Sequence, residues 1–286
     1  MEYIYQSKND AFTFEEGVEI LERKFKNKII IGAINNNDPN CISDILNDLK
    51  VLGIPISKYE INPAEYLQYL NKAEYKIRYP EYYIDNFYEK TLKHFLCYSL
   101  IDLQAHDNFI DIASEHSPVA EIFNKLFDCN SYSQDIMYKS GIHANRIGSD
   151  ASNIPVPDNF FNGAIATCSI EHFENDSDIQ FMKEMERVLS PGSQIVIVPL
   201  YLYSKESCQT DPTYSVPENV KFDEDVEIYC AENWGNRHGR FYSPKSLFQR
   251  LIEPNKNMNF KVYLLDNPEQ IDKSIYCRFI LVGVKL

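Results

Sequence analysis

Asn108-Phe109-Ile110-Asp111-Ile112-Ala113-Ser114-Glu115-His116-Ser117-Pro118 decides how this chain is read. A short apolar run ends in an acidic residue and passes into small and polar ones. That is the pattern of a buried strand delivering its carboxyl end into a tight turn before a helix. It recurs at Arg146-Ile147-Gly148-Ser149-Asp150, at Gly163 to Cys168 followed by Ser169-Ile170-Glu171-His172-Phe173, and at Gln194 to Leu200. Strands that alternate with helices and shed polar residues at their carboxyl ends predict a parallel α/β sheet with a ligand crevice along one edge. Phe260 to Leu265 and Ser274 to Val284 read as two closing strands, and the short link Asp266-Asn267-Pro268 suggests an antiparallel pair.

Upstream, residues 1–80 read as a small α/β unit. Thr13 and Glu16 make a capping box before Val18, Ile20, Leu21 and Phe25 at helical spacing. Ile29 to Ile34 reads as a strand, Ile42 to Leu52 as a helix ending at Gly53, and Ile54 to Ile61 as a second parallel strand, together one crossover unit. Tyr75, Tyr79, Tyr82, Tyr83, Phe87, Tyr88, Phe95 and Tyr98 follow. They are read as the packed stripe of a helix from Asp85 to Leu103, with Tyr79, Tyr82 and Tyr83 at a substrate mouth as the sharper alternative. Residues 81–286 form the main domain, with 201–240 as an irregular insert of lid or substrate-loop character. Ser243-Pro244 opens a helix with Pro at its first position.

Composition excludes several function classes. The 286 residues carry a net charge of -14, so phosphate repulsion and the scatter of Lys and Arg argue against nucleic acid. No run approaches a bilayer span, and Met1-Glu2-Tyr3-Ile4-Tyr5 lacks a basic start and an apolar segment, so a cytoplasmic location is expected. Seven dispersed cysteines and six dispersed histidines give neither a disulfide framework nor a metal site by spacing.

From about residue 85 to 286 the sequence resembles a class I S-adenosylmethionine-dependent methyltransferase of the type-11-like kind. The resemblance is carried by Phe181-Met182-Lys183-Glu184-Met185-Glu186-Arg187-Val188-Leu189-Ser190-Pro191-Gly192-Ser193-Gln194-Ile195-Val196-Ile197, similar to the family's E-x-x-R-V-L-x-P-G turn into its fifth strand. Ile147-Gly148-Ser149-Asp150-Ala151 and Ile154-Pro155-Val156-Pro157-Asp158-Asn159-Phe160-Phe161 match the third strand end and the approach to the fourth. Glu184 and Arg187 sit at i, i+3 spacing and can pair. The first motif is glycine-poor: Ala113 stands where the first glycine is expected, and Glu115-His116 where side chains are usually minimal.

The resemblance implies a Rossmann-like, doubly wound, mostly parallel sheet with an antiparallel last strand, and S-adenosylmethionine as cofactor. Asp111, Ala113 and Ser114 would approach its methionine part, Asp135 its ribose hydroxyls, and Asp150 with Ala151 its adenine edge. Ser169 and Ile170 would lie under the sulfonium. Asp135 and Asp150 also read as a turn aspartate and a helix N-cap. Losing Asp135 to Ala is expected to weaken cofactor binding with little change in apo melting temperature. His172 next to Glu171 is the candidate general base, with His116 second, and capping of the following helix is the alternative role of the pair. Trp234, Arg237, His238, Arg240 and Tyr242 are candidates for holding a small-molecule or sugar-type acceptor, or else belong to a solvated loop. A hydrolase built on Ser169 or Cys168 lacks the Gly-x-Ser-x-Gly elbow. O-methylation of a small molecule or glycan precursor is therefore the expected activity. A methyltransferase-fold scaffold that has lost cofactor and works through an oligomer interface is the alternative.

Overall fold

The computed structural model describes residues 12–82 and 84–286. The expectations on Tyr83 and on Met1 to Tyr5 lie outside the described residues. In chain order the elements are α1 Phe14–Phe25, β1 Ile29–Ile31, α2 Pro39–Val51, β2 Ile56–Tyr59, α3 Pro63–Ala73, α4 Tyr75–Arg78, α5 Phe87–Leu100, β3 Asn108–Ile112, α6 Val119–Phe127, β4 Asn130–His143, β5 Arg146–Gly148 and β6 Phe161–Thr167. They continue with α7 Ser177–Val188, β7 Leu189–Leu200, β8 Ser207–Thr210, α8 Pro212–Ser215, β9 Glu227–Cys230, β10 Gly239–Phe241, α9 Pro244–Leu247, β11 Met258–Leu265 and β12 Phe279–Lys285. The chain divides into two compact units. Among the described residues, one comprises 12–53, 170–179 and 201–253, and the other 54–82, 84–169, 180–200 and 254–286.

The larger unit is built on an eight-stranded sheet in the order β2-β11-β12-β7-β6-β3-β4-β5. From β5 through β7 the neighbouring strands run parallel, with the far end of β4, Gly141 to His143, turning back along β5, and β12 runs antiparallel to both β7 and β11. The strands are apolar because both faces are covered: Phe109, Ile110, Ile112, Ile165, Val196 and Ile280 are at or near zero exposure. Phe109 packs on Phe123 of α6 at 5.0 Å between ring centroids, and Tyr66 and Tyr69 of α3 pack on Phe95 of α5. Each such ring contributes on the order of 2–3 kcal/mol by burial. Of the aromatic stretch, Tyr75 and Phe95 are core and Tyr79, Phe87 and Tyr98 pack on it partly buried, whereas Tyr88 is exposed and Tyr82 lines a crevice.

The Glu184–Arg187 pair expected from spacing forms at 2.6 Å. Arg187 also donates to the carbonyls of Ile154 and Val156, while Glu184 accepts from the Ile154 N–H, so this helix pins the proline-rich approach to β6. Gly148 is needed at the end of β5, where a Cβ would come 2.1 Å from the Lys139 carbonyl oxygen.

The smaller unit has a four-stranded sheet in the order β1-β9-β8-β10, with only β10 antiparallel to its neighbour. Its core gathers Val18 and Leu21 of α1 with Cys208, Val226, Ile228 and Cys230. The capping box of Thr13 and Glu16 is present. Two expectations are corrected here. The stretch from Ile29 to Ile61 is not one crossover in one sheet, because β1 pairs with β9 and β2 with β11. A three-residue strand is completed by whichever edge matches it, and local periodicity does not encode that partner. Residues 201–240 are not irregular either. They supply β8, α8, β9 and the start of β10, and their strands share a sheet with β1.

Candidate functional site

In a doubly wound sheet a ligand binds outside the carboxyl ends of the strands, where the strand order reverses. Here connections from β3 lead one way through β4 to β5 and the other way through β6 to β7, so the reversal falls between β3 and β6. A crevice of about 60 Å³ opens there. It is lined by Ala113, Ser114, Glu115 and Ser117 after β3, by Thr167 and Cys168 at the end of β6, and by Tyr82, Lys90, Lys93 and His94 from α5 and the segment before it.

The turn after β3 adopts the backbone that its missing glycines would have favoured. Ala113 and Glu115 take positive φ values of 49° and 47°, left-handed conformations disfavoured for residues bearing a Cβ. Hydrogen bonds hold them there. The Ala113 N–H donates to Gln134 Oε1 at 3.1 Å, the Ser114 N–H to the Gln134 carbonyl at 2.9 Å, and the Glu115 N–H to Asp135 Oδ2 at 2.9 Å. Tyr138 donates to the Glu115 carbonyl at 2.6 Å, and its oxygen lies 3.0 Å from Ser114 Oγ.

At the end of β3, Asp111 is fully buried, and neither carboxylate oxygen has a hydrogen-bond partner. Burial pushes its carboxyl well above the usual carboxylate range. The Ser117 hydroxyl lies close enough to oppose that shift without hydrogen-bonding either oxygen, and Asp135 adds to it. Asp135 lies on β4 two residues beyond Ser133, the register partner of Asp111; its Oδ2 is used as above and its Oδ1 accepts the Met137 N–H at 2.8 Å. The expectation that Asp135→Ala leaves the apo protein unperturbed is therefore revised, since this carboxylate ties two backbone donors. Asp150 is exposed and closes a turn by accepting from the N–H and hydroxyl of Ser152, and Ala151 beside it is buried. Ser169 is buried, with an unpartnered hydroxyl.

The opposite wall was not foreseen. Lys93 is fully buried on α5, 2.8 Å from Glu89 one turn earlier, and its ammonium donates to Cys168 Sγ at 3.0 Å and to Tyr276 Oη at 3.2 Å. Lys90 reaches the same sulfur at 3.5 Å. Cys168 has φ 52°, so the chain turns sharply as it leaves β6. The available signal was the Glu89–Lys93 i, i+4 pair inside an aromatic stripe, a spacing that usually marks a solvated face.

The remaining candidates belong to the smaller unit. His172 Nδ1 donates to the His238 carbonyl at 2.6 Å, which leaves Nε2 as an acceptor in the neutral ring, 3.8 Å from Glu171 Oε1. His238 Nδ1 in turn donates to the Glu171 carbonyl at 3.1 Å, and Trp234 lies 6.2 Å from the His172 ring. Burial, with the Arg240 charge beside it, pushes His238 down to about 3. Ile170, next in sequence to Ser169, is buried at the start of this short helical turn. The structure thus brings Glu171, His172, Trp234 and His238 together. Arg237 instead pairs with Glu174 at 2.7 Å. Arg240, 2% exposed, is held by Asp178, Glu206, Asp223 and the Asn175 carbonyl. Tyr242 donates to Asp178 at 2.7 Å. Burial opposes ionisation of Asp178, but its hydrogen bond from Arg250 and the Arg240 charge outweigh it and hold the carboxyl below its usual range.

The fold is an α/β one with a crevice at the switch point of its larger sheet. Residues 62–197 match the methyltransferase domain family. That match agrees with the resemblance to class I S-adenosylmethionine-dependent methyltransferases read from the sequence. No curated protein matches the sequence significantly. Solved structures similar to it include a Burkholderia thailandensis 1,6-didemethyltoxoflavin-N1-methyltransferase with bound 1,6-didemethyltoxoflavin and S-adenosylhomocysteine. It is 12% identical over 81% of this chain and 93% of its own, with a TM-score of 0.46. A Streptomyces coelicolor geranyl diphosphate C-methyltransferase is 8% identical over 68% and 80%, with a TM-score of 0.44. A methyltransferase of Thermotoga maritima is 14% identical over 77% and 99%, with a TM-score of 0.42. Among the described residues, no helix is long and apolar enough to cross a membrane.

Proposed function

We propose that the protein transfers a methyl group from S-adenosylmethionine to a hydroxyl of a small-molecule or glycan-precursor acceptor. The observation that carries the reading is Asp111. Two buried, unpartnered carboxylate oxygens at the switch point suit a cationic ligand, and the cofactor brings an ammonium and a sulfonium. When bound, that cofactor supplies an electrophilic methyl. Asp111 meets the positive charge, and the Ala113–Ser117 turn cradles the amino-acid portion. Asp135 offers its remaining lone pairs to the ribose diol, Asp150 and Ala151 take the adenine edge, and Ser169 and Ile170 approach the sulfur. His172 is assigned the acceptor proton because its Nε2 lone pair is the one that its tautomer exposes, with Glu171 beside it. Trp234 and Arg237 are assigned to the acceptor, while Arg240 and Tyr242 are engaged with Asp178 and His238 with the Glu171 carbonyl in buried positions.

A second reading, a binding protein that has lost the cofactor, is favoured by one observation. The crevice has room for only a few waters, and Lys93 in its lining is tied to Cys168. Calorimetric titration with S-adenosylhomocysteine separates the two. The proposal expects micromolar binding that Asp135→Asn weakens about tenfold, the size of one charge-assisted hydrogen bond. No heat and no thermal stabilisation at millimolar ligand would establish the second reading instead.

A further inference from the structure

A thiol and an amine of the larger unit lie in contact in the lining of the crevice. Lys93 Nζ donates to Cys168 Sγ at 3.0 Å, and Lys90 Nζ reaches the same sulfur at 3.5 Å. Tyr276 Oη at 3.2 Å and Glu89 at 2.8 Å hold Lys93 in that place. Lys93 and Glu89 are each 1% exposed, whereas Cys168 is half-buried and opens on the crevice.

Cys168 stands apart from the other six cysteines. Each of those is buried, and burial pushes its thiol up. A thiol reacts through its anion, so those six are held back. At Cys168, negative charge developing on sulfur meets two ammonium groups already in contact with it. The crevice of about 60 Å³ has room for a few waters, hence for hydrogen peroxide, but not for a tripeptide thiol. An oxidised Cys168 is therefore resolved from within the protein.

We infer that Cys168 and Lys93 are a redox-responsive pair: peroxide turns the Cys168 thiol into a sulfenic acid, and the Lys93 nitrogen captures it as a sulfur–nitrogen link. In the first step sulfur attacks one peroxide oxygen. The S–O bond forms, the O–O bond breaks, and the thiol proton leaves with the second oxygen as water; sulfur is oxidised and the peroxide reduced. In the second step the Lys93 ammonium passes a proton to Glu89, whose Oε1 has no hydrogen-bond partner besides this ion pair among the described residues. The amine attacks the sulfenic sulfur, the S–N bond forms, the S–O bond breaks, and the hydroxide leaves as water with a second nitrogen proton. The buried charges of Glu89 and Lys93 vanish together, so the link strands neither. Cys97 and Cys277 also lie near enough to feel Cys168, but their raised thiols compete poorly with an amine 3.0 Å from the sulfur. The link ties the end of β6 to α5 across the crevice lining and closes it to ligand, a consequence that rests on the proposed use of the crevice for cofactor.

The test exposes the reduced full chain to hydrogen peroxide and reads intact mass and peptide maps. A loss of two hydrogens is expected, mapped to a Cys168–Lys93 cross-link and restored by dithiothreitol after denaturation. The Glu89→Gln/Lys93→Met double variant should stop at the sulfenic acid, with one added oxygen, and take up about tenfold more dimedone at Cys168 than wild type. A Cys168 that peroxide leaves unchanged, a disulfide from Cys168 to Cys97 or Cys277, or equal dimedone capture in wild type and variant would overturn the inference. S-adenosylhomocysteine is then titrated into the reduced and the cross-linked protein. Binding weaker by about tenfold or more in the linked form is expected, and equal binding would overturn the closure. Absence of binding to the reduced protein would strike the proposed function and leave the cross-link to stand or fall on its mass.

Discussion

Asp135→Ala is expected to destabilise the apo protein as well as weaken its ligand. Each carboxylate oxygen accepts one backbone N–H, from Glu115 at 2.9 Å and Met137 at 2.8 Å, and the residue is 6% exposed. Removing the acceptor leaves two partly buried donors unmet, at about 1–2 kcal/mol each, or about 2–4 kcal/mol together. For a chain of this size each kcal/mol moves Tm by roughly 2–4 °C, so a fall of about 5–15 °C is expected. Asp135→Asn keeps one oxygen acceptor and should lose about half as much. Differential scanning calorimetry on the three ligand-free proteins reads both values. The Glu115 bond also holds that residue at positive φ, so amide exchange at Ser114 to Ser117 should quicken in the alanine variant. A Tm for Asp135→Ala within a degree of wild type would refute the reasoning, because the two hydrogen bonds would then contribute nothing to the turn.

Lys93→Met leaves Glu89 charged and buried. A loss of about 3–5 kcal/mol in urea unfolding is expected, largely regained in the Glu89→Gln/Lys93→Met double variant. Asp111 has its folded-state pKa raised above the unfolded value of 3.8, so its contribution to stability is full below that value and is lost as pH rises through the folded pKa. Asp111→Asn should therefore raise Tm at pH 8 and match wild type near pH 4, as thermal scans across pH would show. His94 and His238 have folded values depressed from 6.5 to about 3. Their contributions are present above 6.5 and lost as pH falls toward 3, so His238→Gln should flatten the acid limb of a Tm–pH profile.

The central strands and their parallel sheet were legible because each buried strand ends in the same chemical change, from apolar to small and polar. The Glu184–Arg187 helix and its turn were legible because i, i+3 pairing and Pro-Gly are local. Partner choice was not. Ile29–Ile31 reads as a strand, but its pairing with Glu227–Cys230 depends on a segment almost 200 residues away. The polar wall of the crevice was hidden for a different reason. Glu89, Lys93 and His94 share α5 with Phe95, Leu96 and Cys97, and all six are buried, so a helix buried nearly all round shows no polar face to read. Gln134, which holds the turn after β3 with side chain and backbone, carried no local mark at all. Asp111 and Asp135 were singled out through the family resemblance, which implies polar residues at the carboxyl ends of the strands, and both are buried.

Hydrogen–deuterium exchange of the full chain with and without saturating S-adenosylhomocysteine tests the central claim most directly, because it reports where the ligand sits. The account predicts protection concentrated in residues 111–117, 135–138 and 167–169, the strand ends around the switch point. Protection confined to other segments, or none at millimolar ligand, would contradict it.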